Sequence, residues 1–193
     1  TRAILGILSP EIHLCGALNV KSLLIQMITE CGDEYECIEY FRNIPLQFES
    51  TAYQLNKPIK GDALIAFSKK KVLELSRYYQ DRGFKTSIIY GDLPPEVRRI
   101  QYQSFSEGQS ELLISTDAIG MGVNLPIRRI VFVSAKKFDG EVVRELTSQE
   151  VKQIAGRAGR KGIYEIGYVT GLDEHLAFVK EKLECKDEVI QQA

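Results

Sequence analysis

Short, wholly apolar runs alternate with longer amphipathic stretches through most of this 193-residue chain, and that rhythm narrows the fold more than anything else in it. Ala63-Leu64-Ile65-Ala66-Phe67, Leu112-Leu113-Ile114 and Ile130-Val131-Phe132-Val133 are too short for helices. They also lack the in-out alternation of a strand with one wet face. Such runs fit strands covered on both faces, the condition of a parallel sheet in an α/β domain. Strands are predicted at 62–67, 86–90, 111–115, 129–134 and 166–170. Between them the sequence supplies helix signals. Ser68 caps a helix that Gly83 stops, and Pro94-Pro95 opens one that ends before Gly108. Thr147-Ser148-Gln149-Glu150 is a capping box for a helix through Arg157, and a last helix is predicted at 173–184. Asp139-Gly140 predicts a hairpin between 134 and 147.

The N-terminal part is less regular. Ile12–Cys15 reads as a short buried strand, Ala17–Glu30 as a helix and Tyr35–Phe41 as β-prone. Periodicity fades after Arg42, and Asn56-Lys57-Pro58 is a turn signal. Residues 49–60 are therefore predicted as a linker, which separates residues 1–48 from a domain over 61–172 and a C-terminal helix and tail over 173–193.

Composition removes several classes of function. Hydrophobic residues make up 44% and charged residues 26%, values of a globular chain. No run approaches the roughly 18 apolar residues of a membrane helix, so no membrane partner is expected. A net charge of −1 excludes a polycation, and any nucleic-acid footprint must be local. Cys15, Cys31, Cys37 and Cys185 form no C-x-x-C pair, and His13 and His175 lie far apart. No metal ligand set is expected, and the thiols read as reduced ones in an intracellular protein.

Four stretches carry chemistry. In Gln153-Ile154-Ala155-Gly156-Arg157-Ala158-Gly159-Arg160, two arginines three apart meet on one face if the helix continues, where both guanidinium forks can reach one anion. A solvated basic helix end accounts for the spacing equally well. Ser115-Thr116-Asp117-Ala118-Ile119-Gly120-Met121-Gly122-Val123-Asn124 follows a strand. Thr116 offers a hydroxyl and an N–H to a phosphate, and Gly120 and Gly122 permit close backbone approach; a tight turn is the alternative. Phe67-Ser68-Lys69-Lys70-Lys71 and Tyr90-Gly91-Asp92 through Arg98-Arg99 are two more polar strand ends. Each can be an anion site or plain capping and surface charge. A parallel sheet is expected to gather all four on one rim. A phosphate loop and a D-E-x-[DH] magnesium motif are both missing, and Asp33-Glu34-Tyr35-Glu36 only imitates the latter.

Taken together, these stretches resemble the second RecA-like domain of superfamily 2 DExH helicases, closest to the mitochondrial degradosome RNA helicase family and its bacterial relatives. The resemblance rests on Thr116–Phe132, on Lys137–Gly140 followed by Leu146–Arg160, and on Thr1–Gly16. It implies an α/β fold: a RecA-like parallel sheet flanked by helices, with a short remnant of the preceding RecA-like domain ending at the motif III-like His13–Gly16. The chain would then be a fragment that begins after the phosphate loop.

The resemblance also implies roles. Arg157 and Arg160 would reach the γ-phosphate of ATP held by the first domain. Gln153 would order the attacking water. Gly120, Gly122 and Asn124 would line the nucleotide, Asn124 standing where relatives often place an Asp. Thr116, Ser68, Gly91, Asp92 and Arg98 would contact the nucleic-acid backbone, and the hairpin near Phe138 is a candidate for touching or splitting the strand. ATP and Mg²⁺ would serve the full-length protein, with neither held tightly by the fragment alone. The partners implied are single-stranded RNA or DNA, the first RecA-like domain and, at family level, an exoribonuclease. RNA and 3′ to 5′ translocation are favoured. The expected location is a bacterial cytoplasm, with the mitochondrial matrix second. Two other readings compete: a non-catalytic RNA- or protein-binding module on a helicase-like fold, and a stand-alone flavodoxin-like nucleotide-binding enzyme.

Overall fold

The computed structural model describes residues 6–120, 124–186 and 190. The chain divides into two compact units, Thr1–Phe41 with Lys186–Ala193, and Arg42–Cys185. In the first unit a 3₁₀ turn at Leu18–Val20 leads into α1 (Lys21–Glu30), with Met27 its buried residue. Lys21 pairs with Glu39 at 2.5 Å. The strands expected at 12–15 and 35–41 do not form; both segments are irregular and exposed. A strand exists only with a hydrogen-bonded neighbour, and no strand is found among the described residues of this unit.

The second unit carries the predicted rhythm. Its strands are β1 (Leu46–Phe48), β2 (Asp62–Ile65), β3 (Thr86–Ile89), β4 (Leu112–Ser115), β5 (Arg129–Phe132) and β8 (Gly167–Gly171). They form one parallel sheet in the order β1-β8-β5-β2-β4-β3. The short strands β6 (Lys136–Phe138) and β7 (Val143–Glu145) make the antiparallel hairpin expected around Asp139-Gly140. The helices are α2 (Lys69–Gln80), α3 (Pro95–Ser106), α4 (Ser148–Ala155) and α5 (Asp173–Glu184).

Both sheet faces are dry, as continuous apolar strands require. Ala63, Ile65, Leu113, Ile130, Phe132 and Val169 pack on one face with Phe105 of α3, Val151 and Ile154 of α4 and Val179 of α5. The alternate residues Leu64, Ala66, Leu112, Ile114, Val131 and Val133 pack on the other face with Val72, Leu75 and Tyr79 of α2. The period-2 geometry of each strand thus feeds two cores. Tyr53 is buried in the second core and donates its N–H to Gly171 O at 2.9 Å. Residues 42–60 therefore do not read as remnant and linker: β1 extends the sheet by one strand, and the segment after it covers a face.

Two buried or edge polar groups at the sheet's margins find partners. Asp62, fully buried at the start of β2, pairs with Arg129 at the start of the adjacent β5, at 2.8 and 2.9 Å. Arg129 also donates to Glu49 at 3.0 Å and lies over the Tyr53 ring. At the β3 edge, the Ile88 N–H finds no strand; it donates to the side-chain amide oxygen of Gln101 on α3 at 2.8 Å.

Candidate functional site

Three of the predicted stretches meet at the C-terminal rim of the sheet. Ser68 follows β2, Gly91 follows β3 and Thr116 follows β4, and these three strands are adjacent in the order β2-β4-β3. Ser68 is exposed, and its hydroxyl accepts from the Lys71 N–H at 3.2 Å as the N-cap of α2. That leaves its own proton to donate. Lys69 beside it lies over the Tyr90 ring, 5.1 Å from the centroid. Gly91 and Asp92 are exposed. Arg98 is not free to reach outward in the same way: its Nη2 donates to Gly91 O at 2.6 Å and sits 3.3 and 3.4 Å from the carbonyls of Tyr90 and Leu93. It clamps the Gly91 loop. The Thr116 N–H, expected to be open to a phosphate, is spent on Ile89 O at 3.0 Å, as the register of β3 with β4 demands. Its hydroxyl accepts from the Ala118 N–H at 3.3 Å and caps the 3₁₀ turn Asp117–Gly120.

The two arginines are not on that rim. α4 runs antiparallel to the strands and ends at Ala155, so Arg157 and Arg160 lie beyond the helix, not on a continuing face. Their loop is fixed at the opposite end of the sheet. The Gly159 N–H donates to Ile127 O, two residues before β5, at 2.8 Å. Gly159 has φ +78°, and a Cβ there would sit 2.6 Å from Ile44 Cγ2 and 2.9 Å from Gly167 Cα, at the start of β8. The small residues of Ala155-Gly156-Arg157-Ala158-Gly159 do admit a close surface, and that surface is this domain's own strand β8. Arg42 completes the clamp, donating to Gly156 O at 2.7 Å and to Ala158 O. Arg157 and Arg160 are both half-buried on this loop.

Between β4 and β5, Gly120 ends the 3₁₀ turn and Asn124 is exposed; Gly122 lies outside the described residues. Gln153 is exposed on α4 and borders a cavity of about 140 Å³ together with Phe67, Asp117, Lys137 and Glu150. Glu150 closes the capping box with Thr147, as the sequence indicates, and also takes a bidentate fork from Arg144 at 2.9 Å for each bond. Lys137 bridges Glu150 at 2.6 Å and Asp117 at 3.2 Å. The Arg144 guanidinium above all, with Lys137, holds the Glu150 carboxyl well below the usual carboxylate range, and the bond to Glu150 lifts the Lys137 ammonium. Sequence reasoning passed over Arg42, Lys137 and Arg144. The opposite charges flanking the Asp139-Gly140 turn were the available signal for the last two; Arg42 left none.

Among the described residues no group of three or more His, Cys, Asp or Glu could hold a metal ion. None of their helices is long and apolar enough to cross a membrane.

Comparison with known proteins agrees with this geometry. Residues 47–162 match the helicase conserved C-terminal domain, and residues 1–40 match the DEXQ-box helicase domain of Suv3. The mitochondrial ATP-dependent RNA helicase SUV3 of Saccharomyces cerevisiae is 38% identical over all of this chain and 28% of its own length. SUV3 of Candida albicans is 43% identical over 89% of the chain and 24% of its own length, and human SUPV3L1 38% over 95% and 25%. The chain thus spans about a quarter of these relatives. The C-terminal domain of the DEAD-box protein Dbp5 superposes with a TM-score of 0.52 over 72% of this chain and 82% of that one, at 19% identity, a likeness of fold. A six-stranded parallel sheet of RecA-like type and a family match over most of the second unit place the chain in the superfamily 2 helicase C-terminal domain family.

Proposed function

We propose that this chain supplies the second motor domain of an ATP-dependent RNA helicase of Suv3 type, working in mitochondria. Its relatives are mitochondrial, which gives no support to a bacterial cytoplasm. The observation that carries the reading is the arginine loop. Arg157 and Arg160 follow the helix that bears Gln153, on a backbone held by Arg42, by Ile127 O and by the Gly159–Gly167 contact. A guanidinium fork carried on a held backbone suits bidentate hydrogen bonding to phosphate oxygens.

In this reading ATP and Mg²⁺ are held by the first RecA-like domain, to which residues 1–40 belong. The exposure of Leu8, Tyr40 and Phe41 suits a segment with further chain to pack against. Arg157 and Arg160 stabilise charge developing on the γ-phosphate, and Gln153 orders the attacking water. Gly120, Gly122 and Asn124 approach the nucleotide. On the rim, Ser68, Thr116, Gly91 and Asp92 contact the backbone of a single strand, with Arg98 acting through the Gly91 loop. Phe138, exposed beside the hairpin turn, would meet the strand. Closure on ATP and opening after hydrolysis step the domains along RNA. An exoribonuclease partner belongs to the same proposal. The 193-residue chain alone hydrolyses no ATP at rates near the ~1 s⁻¹ of ordinary enzymes.

The test is RNA-stimulated ATPase of the full-length protein, wild type against Arg160→Ala, with RNA binding followed in parallel. The rate is expected to fall by about 10³-fold or more with binding retained. An unchanged rate would leave a binding module on a helicase fold.

A further inference from the structure

We propose that Lys137 and Glu150 couple the nucleic-acid rim to the arginine loop, a positioning role that rests on the motor reading above. Three elements from different parts of the chain meet at these two side chains. Asp117 belongs to the turn that Thr116 caps, Lys137 and Arg144 to the β6–β7 hairpin, and Glu150 to the first turn of α4. Lys137 Nζ touches both Asp117 and Glu150, and Arg144 holds Glu150 from the other side while pairing with Asp139 at 3.1 Å. The Lys137 and Glu150 side chains are 19% and 22% exposed, so the bridge is largely withdrawn from solvent screening.

The mechanical consequence follows from α4. It is eight residues long, roughly 12 Å of rigid helix. Its first turn is tied to the rim by ions, and its last leads directly into the loop clamped by Arg42. A shift of the Thr116–Asp117 turn or of the hairpin therefore pulls on Glu150, and through the helix on Gln153 and Arg157. The cavity of about 140 Å³ between Phe67 and Gln153 leaves space for that movement beside the tie. Ile119 of the Asp117 turn lies in one core with Val151 and Ile154 of α4, and the bridge adds a directional ionic tie beside that apolar contact.

The experiment compares full-length wild type with Lys137→Met, Lys137→Arg and Glu150→Gln. Basal ATPase, RNA-stimulated ATPase and the half-saturating RNA concentration are measured, and thermal melting monitors folding. Glutamine preserves the capping box, which accepts either residue at this position. Lys137→Met and Glu150→Gln are expected to lower the RNA-stimulated rate by between about 2- and 30-fold, the range for residues that couple two sites. The basal rate and half-saturation should stay within twofold, and Lys137→Arg should restore stimulation. Stimulation unchanged in both variants overturns the coupling; so does a basal rate that falls in step with the stimulated one. A wild-type protein whose ATPase ignores RNA overturns the motor reading, and the coupling with it.

Discussion

Replacing Gly159 by alanine tests whether the arginine loop is held by close packing or only by a glycine conformation. Gly159 and Gly162 share almost the same backbone, φ +78° and +83°. An L side chain in that left-handed region costs roughly 1–2 kcal/mol. At Gly162 nothing lies within 4 Å of the added Cβ, so that backbone cost is the whole effect. At Gly159 the Cβ would stand 2.6 Å from Ile44 Cγ2 and 2.9 Å from both Cα and N of Gly167. Two of those atoms are strand backbone and cannot swing aside. Overpacking of this kind adds about 1–3 kcal/mol, for a total of about 2–5 kcal/mol. With a urea slope of about 2 kcal/mol/M, Gly162→Ala should lower the unfolding midpoint by about 0.5–1 M and Gly159→Ala by about 1–2.5 M. Urea unfolding followed by far-ultraviolet circular dichroism reads both on the 193-residue chain. Equal midpoints for the two variants would refute the packing of the 156–160 loop on β8, and with it the claim that Arg160 sits on a rigid seat.

Two further outcomes follow from the ion pairs. Arg129→Met leaves the fully buried Asp62 carboxylate without its cation and should cost about 3–5 kcal/mol in chemical unfolding, and a loss under 1 kcal/mol would show that Asp62 finds another partner. Because the folded-state Glu150 pKa is depressed below its ordinary 4.5, its stabilisation is present above about pH 4.5 and is lost as the pH falls below it. Wild type should therefore exceed Glu150→Gln in melting temperature at pH 7, with the gap closing as the pH drops from about 4.5 to 3; a constant gap across that range would exclude the carboxylate as its source.

Where the sequence speaks locally, it speaks clearly. Ser68 caps α2, Thr147 and Glu150 close the box on α4, Asp139-Gly140 turns the hairpin, and the last helix spans Asp173–Glu184 as expected. Each of these depends on neighbours within a few residues. The failures depend on partners far away in the chain. Tyr35–Phe41 has β-prone residues and no strand beside it. Leu46–Phe48 has little to mark it as a strand, yet it pairs with Gly167–Val169, more than a hundred residues later. Spacing alone puts Arg157 and Arg160 on the rim with Thr116, but α4 leaves that rim and carries the loop after it to the other end of the sheet. Asp62 and Arg129 each look like the polar first residue of an apolar strand; only the neighbouring of β2 and β5 turns them into a pair.

The Ile88–Gln101 bond has a bearing on how these molecules behave toward one another. An open parallel sheet ends in a row of unspent amides, a template on which a second molecule's strand could add and start a growing stack. At β3 that invitation is withdrawn by the protein's own glutamine, seated on the next helix and occupying the Ile88 amide. A foreign strand laid along β3 would therefore have to displace Gln101 or forgo the Ile88 bond, which makes this flank a poorer template than a bare edge.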